Sequence, residues 1–272
     1  MSRTGTAAIT AIALAVLAAC AGTAAHPTAG RRSAGTANGA LPTQAAGPAG
    51  AATPTARPVV VLDPGHNGGN ATHPAQVTHQ VPAGYGRRKD CNTVGATTPD
   101  GYPEHAFTFD VARRVRALLT GHGVDVRMTR PNDTGVGPCV NERANVGNRA
   151  RAAAVVSIHG DGSLAGHGFH VIEADRPPVG PSVAAASHRL AEAVHDRYLT
   201  GSGFVPATYV GRNGYNRRAD LAGLNLSTRP TILIECGNMR DPNDARRMES
   251  PAGRQRIATA IAAGIEDYLR RK

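Results

Sequence analysis

The chain contains no tryptophan, and of its 272 residues only four are phenylalanine and six tyrosine. A protein that stacks bases needs aromatic platforms, so the net charge of +10 does not by itself argue for nucleic acid, and no nucleic-acid-binding motif is present. Lysine is nearly missing too, occurring only at Lys89 and Lys272, so the basic excess is arginine. Such a charge favours anionic polymers through long-range attraction but does not select one. No apolar run is long enough to span a bilayer, which takes about 20 residues. Acidic residues are absent before Asp63. No internal repeat and no second shift of composition divides the chain after Arg57, so the roughly 215 remaining residues are expected to fold as one domain.

What is present begins with a leader. Arg3 precedes the small and apolar stretch Ala7 to Ala19, and the sequence then reads Leu17-Ala18-Ala19-Cys20. That pattern predicts an export signal over 1–20. Its end resembles a lipobox, with Cys20 as the lipidated residue; simple cleavage of the leader is the alternative. Residues 21–57 are almost wholly Ala, Gly, Thr, Pro and Ser, and read as a flexible tether. The folded domain is then expected over 58–272. Export places the chain in the cell envelope, either membrane-anchored or released. In an oxidising compartment Cys91 and Cys139 are the natural disulfide pair, leaving Cys236 a buried thiol, although pairings with Cys236 stay open. A monomer is the expected state.

Strand and helix signals alternate. Val59 to Leu62, Val124 to Thr129, Ala154 to His159, Gly168 to Glu173 and Thr231 to Glu235 read as strands, with the fourth expected beside the third. Helices are predicted from Glu104 to about Gly121, over 141–152, over 181–199, after Asp241-Pro242 and from Ser250-Pro251 to about Arg270. The segment 67–103 reads as one long loop. This is an α/β protein with an open, mostly parallel sheet and helices on both faces.

Open sheets of this kind bind ligands beyond the carboxyl ends of their strands. His66, His159 and Glu235 lie at or just after such ends, and Glu104 opens the helix at the same edge. Each has a bland explanation: a surface loop histidine, a buried histidine, a salt-bridged acid, a helix-start acid. Together on one rim they have the composition of a catalytic zinc site, with three ligands, an open position and a separate carboxylate. Glu104 is the most pointed, because it shares the helical face of Phe107, Val111 and Val115 and a carboxylate facing a core needs a cation or firm hydrogen bonds. His73, His79 and His105 are not expected to be ligands. His188, Glu192 and His195 read as a solvated helix face. Asp63 and Asp161 are candidates for orienting the imidazoles, and Asn67, the neighbouring glycines or an Arg for holding an oxyanion.

The succession Leu62-Asp63-Pro64-Gly65-His66, Glu104, Thr129-Arg130 with Asp133, Arg143 with Gly147-Asn148, Ser157-Ile158-His159 and Pro230 to Glu235 with Gly237 resembles the zinc-dependent N-acetylmuramoyl-L-alanine amidases of the type-3 amidase family. The resemblance runs from about Arg57 to the C-terminus. It implies a sheet of about six strands, one Zn2+ held by His66, Glu104 and His159, and Glu235 as the catalytic carboxylate. It also implies peptidoglycan or its fragments as substrate, cut between N-acetylmuramic acid and L-alanine. Ala153 and Cys236 to Arg240 depart from the family pattern. Rival readings are a zinc peptidase acting within the stem peptide, a non-catalytic envelope lipoprotein, and a hydrolase using Cys236.

Overall fold

A computed structural model of the protein describes residues 56–176 and 179–271. The expectations for the leader, Cys20 and the tether as far as residue 55 lie outside them. In chain order the elements are β1 (Val59–Pro64), α1 (Pro74–Val77), β2 (Gln80–Gly84), β3 (Arg87–Asp90), α2 (Glu104–Gly121), β4 (Asp125–Met128), α3 (Val140–Arg149), β5 (Ala154–Asp161), β6 (His170–Ala174), α4 (Gly180–Gly201), β7 (Tyr215–Arg218), α5 (Ala222–Asn225), β8 (Thr231–Asn238), α6 (Pro242–Glu249) and α7 (Pro251–Arg270). Among the described residues no helix is long and apolar enough to cross a membrane.

Six strands form one sheet in the order β4-β1-β5-β8-β6-β7. The first four run parallel, β6 is antiparallel to β8, and β7 is parallel to β6. The fold class is therefore the one expected. The fourth expected strand, however, does not lie beside the third. β8 pairs with β5 and separates it from β6. The connection between β5 and β6 contains no helix, so β6 does not return parallel to β5; β8, which arrives later, takes the edge of β5, and β6 pairs antiparallel on its far side.

Alternation along the strands sorts their side chains to two faces. Val60, Leu62, Val156, Ile158, Ile232 and Ile234 enter the main core with α2, α4 and α7. The opposite face carries two small separate clusters. One gathers Val61, Ala152 and Val155 near α3; the other gathers Ile172, Leu224 and Leu233 near α5. Between them a trench runs along β5 and β8, and it is on this face that the rim residues lie.

Two caps stop and start the last helices as the sequence implied. The Asp241 carboxylate accepts from the backbone N–H of Asn243 and Asp244, and the Ser250 hydroxyl accepts from Gly253. The expected loop 67–103 instead contains α1 and the β2–β3 hairpin. Its Tyr85-Gly86 turn has positive φ at both residues (54° and 70°), the conformation that matches hairpin twist. Only Val81 and Ala83 of β2 are buried, which is too short an apolar alternation to announce a strand.

Candidate active site

β1 ends at Pro64, and Arg143 from α3 grips the chain there. Its guanidinium donates to the carbonyls of Pro64 (2.6 Å) and His66 (2.7 Å) and to the Asp63 carboxylate (2.8 Å). Thr129 and Ser157 hydroxyls complete the Asp63 shell at 2.6 and 2.7 Å. Burial opposes the Asp63 charge, yet Arg143 and the two hydroxyls hold its pKa down to about 2. Arg130, wholly buried, donates to the carbonyls of Pro64 and His105 and to Asp133. The Thr129-Arg130…Asp133 and Arg143 motifs are thus clamps on the loop that carries His66.

His66 sits at φ 58°, a left-handed conformation uncommon outside glycine. Its Nδ1–H donates to the Thr93 carbonyl at 3.0 Å, which fixes the tautomer and leaves Nε2 as the available lone pair. That Nε2 lies 3.1 Å from Glu104 Oε1, and His159 Nδ1 lies 2.9 Å from the same oxygen. The three ligand atoms all fall within 4.8 Å of one another. Glu104 is 4% exposed. Its second oxygen accepts from the Ala96 N–H (2.7 Å), so the carboxylate is aimed by the backbone as well as by α2. Glycine is required beside it: a Cβ on Gly65 would stand 2.3 Å from the His159 ring, and Gly95, at φ +90°, would meet both Glu104 and His66. Burial works against charge on Glu104, but the imidazoles hold its pKa well below the carboxylate range. Two imidazoles and one carboxylate converging in this way fit a single zinc ion, with room for a further donor.

Glu235 on β8 stands directly opposite His159 on β5 and lines a cleft of about 510 Å³ together with His66, Glu104 and His159. Burial, then the neighbouring Glu104 and Asp161, push its pKa well above the usual carboxylate range; Arg218 pulls the other way. The cleft continues from this polar end over Val155, Leu224 and Leu233. The sequence-selected quartet is thus brought to one place.

Other expectations need correction. Neither Asp63 nor Asp161 orients an imidazole by a hydrogen bond. Asp63 serves Arg143, and Asp161 accepts from the Tyr209 hydroxyl at 2.8 Å. The partner of His66 is instead the Thr93 carbonyl, which no side-chain pattern could reveal. Asn67 is 2% exposed and donates to the Gly137 carbonyl, so its amide is spent on the loop. His195 is not solvated: it is 6% exposed and stacks on Tyr215 with centroids 4.1 Å apart, because β7, absent from the sequence reading, lies over it. His188 on the same helix is exposed and meets Glu173 at 3.1 Å. His105 pairs with Asp133 at 2.7 Å, and His73 and His79 bond to nearby carbonyls. Cys91 and Cys139 are joined in a disulfide, so their cluster with His79 offers no thiolate. Cys236 is free and buried, and burial pushes its thiol pKa far up, which removes it as a nucleophile.

Residues 60–267 match the family model described as N-acetylmuramoyl-L-alanine amidase. The chain belongs to this family. It is 46% identical over 212 residues to N-acetylmuramoyl-L-alanine amidase Rv3717 of Mycobacterium tuberculosis, an alignment covering 78% of this chain and 86% of that one. Among solved structures it resembles the amidase Ami1 of Mycobacterium smegmatis, with TM-score 0.75, 47% identity and coverage of 79% and 98% of the two chains. The amidase AmiC2 of Nostoc punctiforme is more distant, at TM-score 0.59 and 28% identity, covering 78% and 97%.

Proposed function

We propose that the protein is a peptidoglycan hydrolase that cleaves the amide between N-acetylmuramic acid and L-alanine of the stem peptide, with His66, Glu104 and His159 holding one zinc ion. The observation that carries this reading is the convergence of those three donors within 4.8 Å, with Glu235 opposite His159 in the same cleft. A zinc ion held there would supply a lowered pKa for a bound water molecule and a polarised scissile carbonyl. The chain's own part is proton handling. Glu235, with its raised pKa, is suited to take a proton from the attacking water and to return it to the departing alanine nitrogen. Arg143 and Arg130 keep the His66 loop at the cleft, and the Thr93 carbonyl keeps the His66 Nε2 lone pair turned inward. Residues 1–20 are read as the export leader and Cys20 as a lipid anchor, with 21–57 a tether, which would bring the catalytic domain to its substrate in the envelope.

The test is mass spectrometry of muropeptides after incubation with the protein, with and without chelator. Free stem peptides beginning with L-alanine, lost on chelation and restored by zinc, are expected. Glu235→Gln should keep its zinc and lose at least about 100-fold in turnover. Shortened stems still joined to muramic acid would make the protein a peptidase, and full turnover by Glu235→Gln would remove the role given to that carboxyl.

A further inference from the structure

Glu235 has an imidazole on each side. His159 is opposite it on β5, and His170 is opposite it on β6. Directly opposed residues share a face of the sheet, with Cβ atoms about 4.5–5.5 Å apart. The first imidazole belongs to the donor set. The second has no part in the chemistry described so far, and it is not a surface group: His170 is 2% exposed.

Two buried atoms on these facing residues lack hydrogen-bond partners among the described residues, Nδ1 of His170 and Oε2 of Glu235. Buried polar atoms are nearly always partnered, and leaving one unpaired costs about 1–3 kcal/mol. Two such atoms on opposed residues suggest a shared use. The ring is also held in place. Tyr209 packs edge-on against it with centroids 6.0 Å apart, while the Tyr209 hydroxyl is committed to Asp161. Burial lowers the His170 pKa to about 4, against the opposing pull of Asp161, so the ring is neutral at neutral pH.

A carboxyl that takes a proton and then returns it needs a partner that can serve both of its forms. An imidazole without charge can donate at Nδ1 to the carboxylate, or accept there from the carboxylic acid by changing tautomer. We propose that His170 is a positioning residue for Glu235: its imidazole is the hydrogen-bond partner that the Glu235 carboxyl meets during turnover.

The inference rests on the amidase reading, and its test uses the same muropeptide assay with two variants. His170→Phe preserves a ring but no hydrogen-bonding atom; in His170→Asn the side-chain amide reaches the Nδ1 position without filling the ring's volume. A purely structural histidine would be replaced better by Phe. A positioning histidine would be replaced better by Asn. We expect His170→Phe to lose about tenfold or more in kcat, the scale of a misplaced catalytic group. Its KM, melting temperature and zinc content of one ion per chain should stay near those of the wild type. His170→Asn should keep most of kcat. Wild-type kcat in His170→Phe, or as large a loss in His170→Asn as in His170→Phe, would overturn the assignment. Should the Phe variant fail to fold, the Asn variant decides: retained kcat supports the role, and a tenfold loss with zinc bound rejects it. A wild-type protein that releases no stem peptide would instead fault the amidase reading itself.

Discussion

At the scale of single residues, Asp63 shows how the site is held by groups that do none of its chemistry. The residue is 8% exposed, and its carboxylate is the shared partner of Arg143, Thr129 and Ser157. A carboxyl held at about 2, against 3.8 when unperturbed, contributes about 2 kcal/mol of stability. Because the folded value is depressed, that contribution is complete above pH 4 and is lost as the pH falls towards 2. Asp63→Asn removes this acid-side slope and also strips a buried guanidinium of its anion. Breaking a buried pair from one side costs about 3–5 kcal/mol, or on the order of 10 °C in Tm for a domain of this size. Thermal melts of the two proteins between pH 2 and 7 check both statements: the variant should melt lower at neutral pH and the gap should narrow in acid. The quartet of His66, Glu104, His159 and Glu235 was legible because each stands at or near the start or end of an apolar run on one rim, although β5 and β8 run two and three residues past His159 and Glu235. The supporting groups were less legible. Asp63 was visible as an acid but read as an imidazole's partner, since nothing in a linear pattern says that Arg143, eighty positions on, reaches it first. Thr93 acts through a carbonyl, which every residue possesses.

At the scale of elements, the hairpin and α3 are tied by the bond between Cys91, just after β3, and Cys139, which precedes α3. The tie is close to the proposed zinc ligands. The Val140 N–H donates to the Cys91 carbonyl at 2.9 Å, and Thr93, two residues beyond Cys91, holds His66. Closing a loop of 48 residues contributes about 4 kcal/mol in the chain-entropy account. Replacing both cysteines with serine should therefore lower the Tm by on the order of 10 °C. It should also weaken zinc binding, because the carbonyl that sets the His66 tautomer would be freer to move. Calorimetry and a zinc titration of the double variant measure the two effects. Loss of stability with unchanged zinc affinity would mean that the disulfide supports the fold alone. Elements with a strong local signal were legible: α2 from its apolar face, α6 and α7 from Asp-Pro and Ser-Pro at their starts. β7, whose sequence is Tyr-Asn-Arg-Arg, carries no apolar alternation and owes its existence to pairing with β6. The place of β6 next to β8 depends on a strand some sixty residues later. Both are decided by tertiary pairing, which no local pattern contains.

At the scale of the whole molecule, protons, the proposed metal and stability would be linked through the same few atoms. Burial alone would lower the His66 pKa, but the Glu104 carboxylate beside it prevails and raises it above 6.5. A raised folded value means that the metal-free protein gains stability from this pair below pH 6.5 and loses it as the pH climbs through the raised pKa. The zinc ion proposed for this site would have the opposite preference. It would bind the neutral imidazole, so its affinity should increase as that proton leaves, and a tighter ligand stabilises the folded state more at a given concentration. The two slopes diverge. The difference in Tm between the zinc-loaded and chelator-treated protein should therefore be small near pH 6 and widen towards pH 8. Melting curves at fixed free zinc across that range measure it directly. A difference that stays constant or shrinks with rising pH would mean that His66 does not release a proton to solvent on metal binding, and the ligand assignment would have to be redrawn around His159 and Glu104.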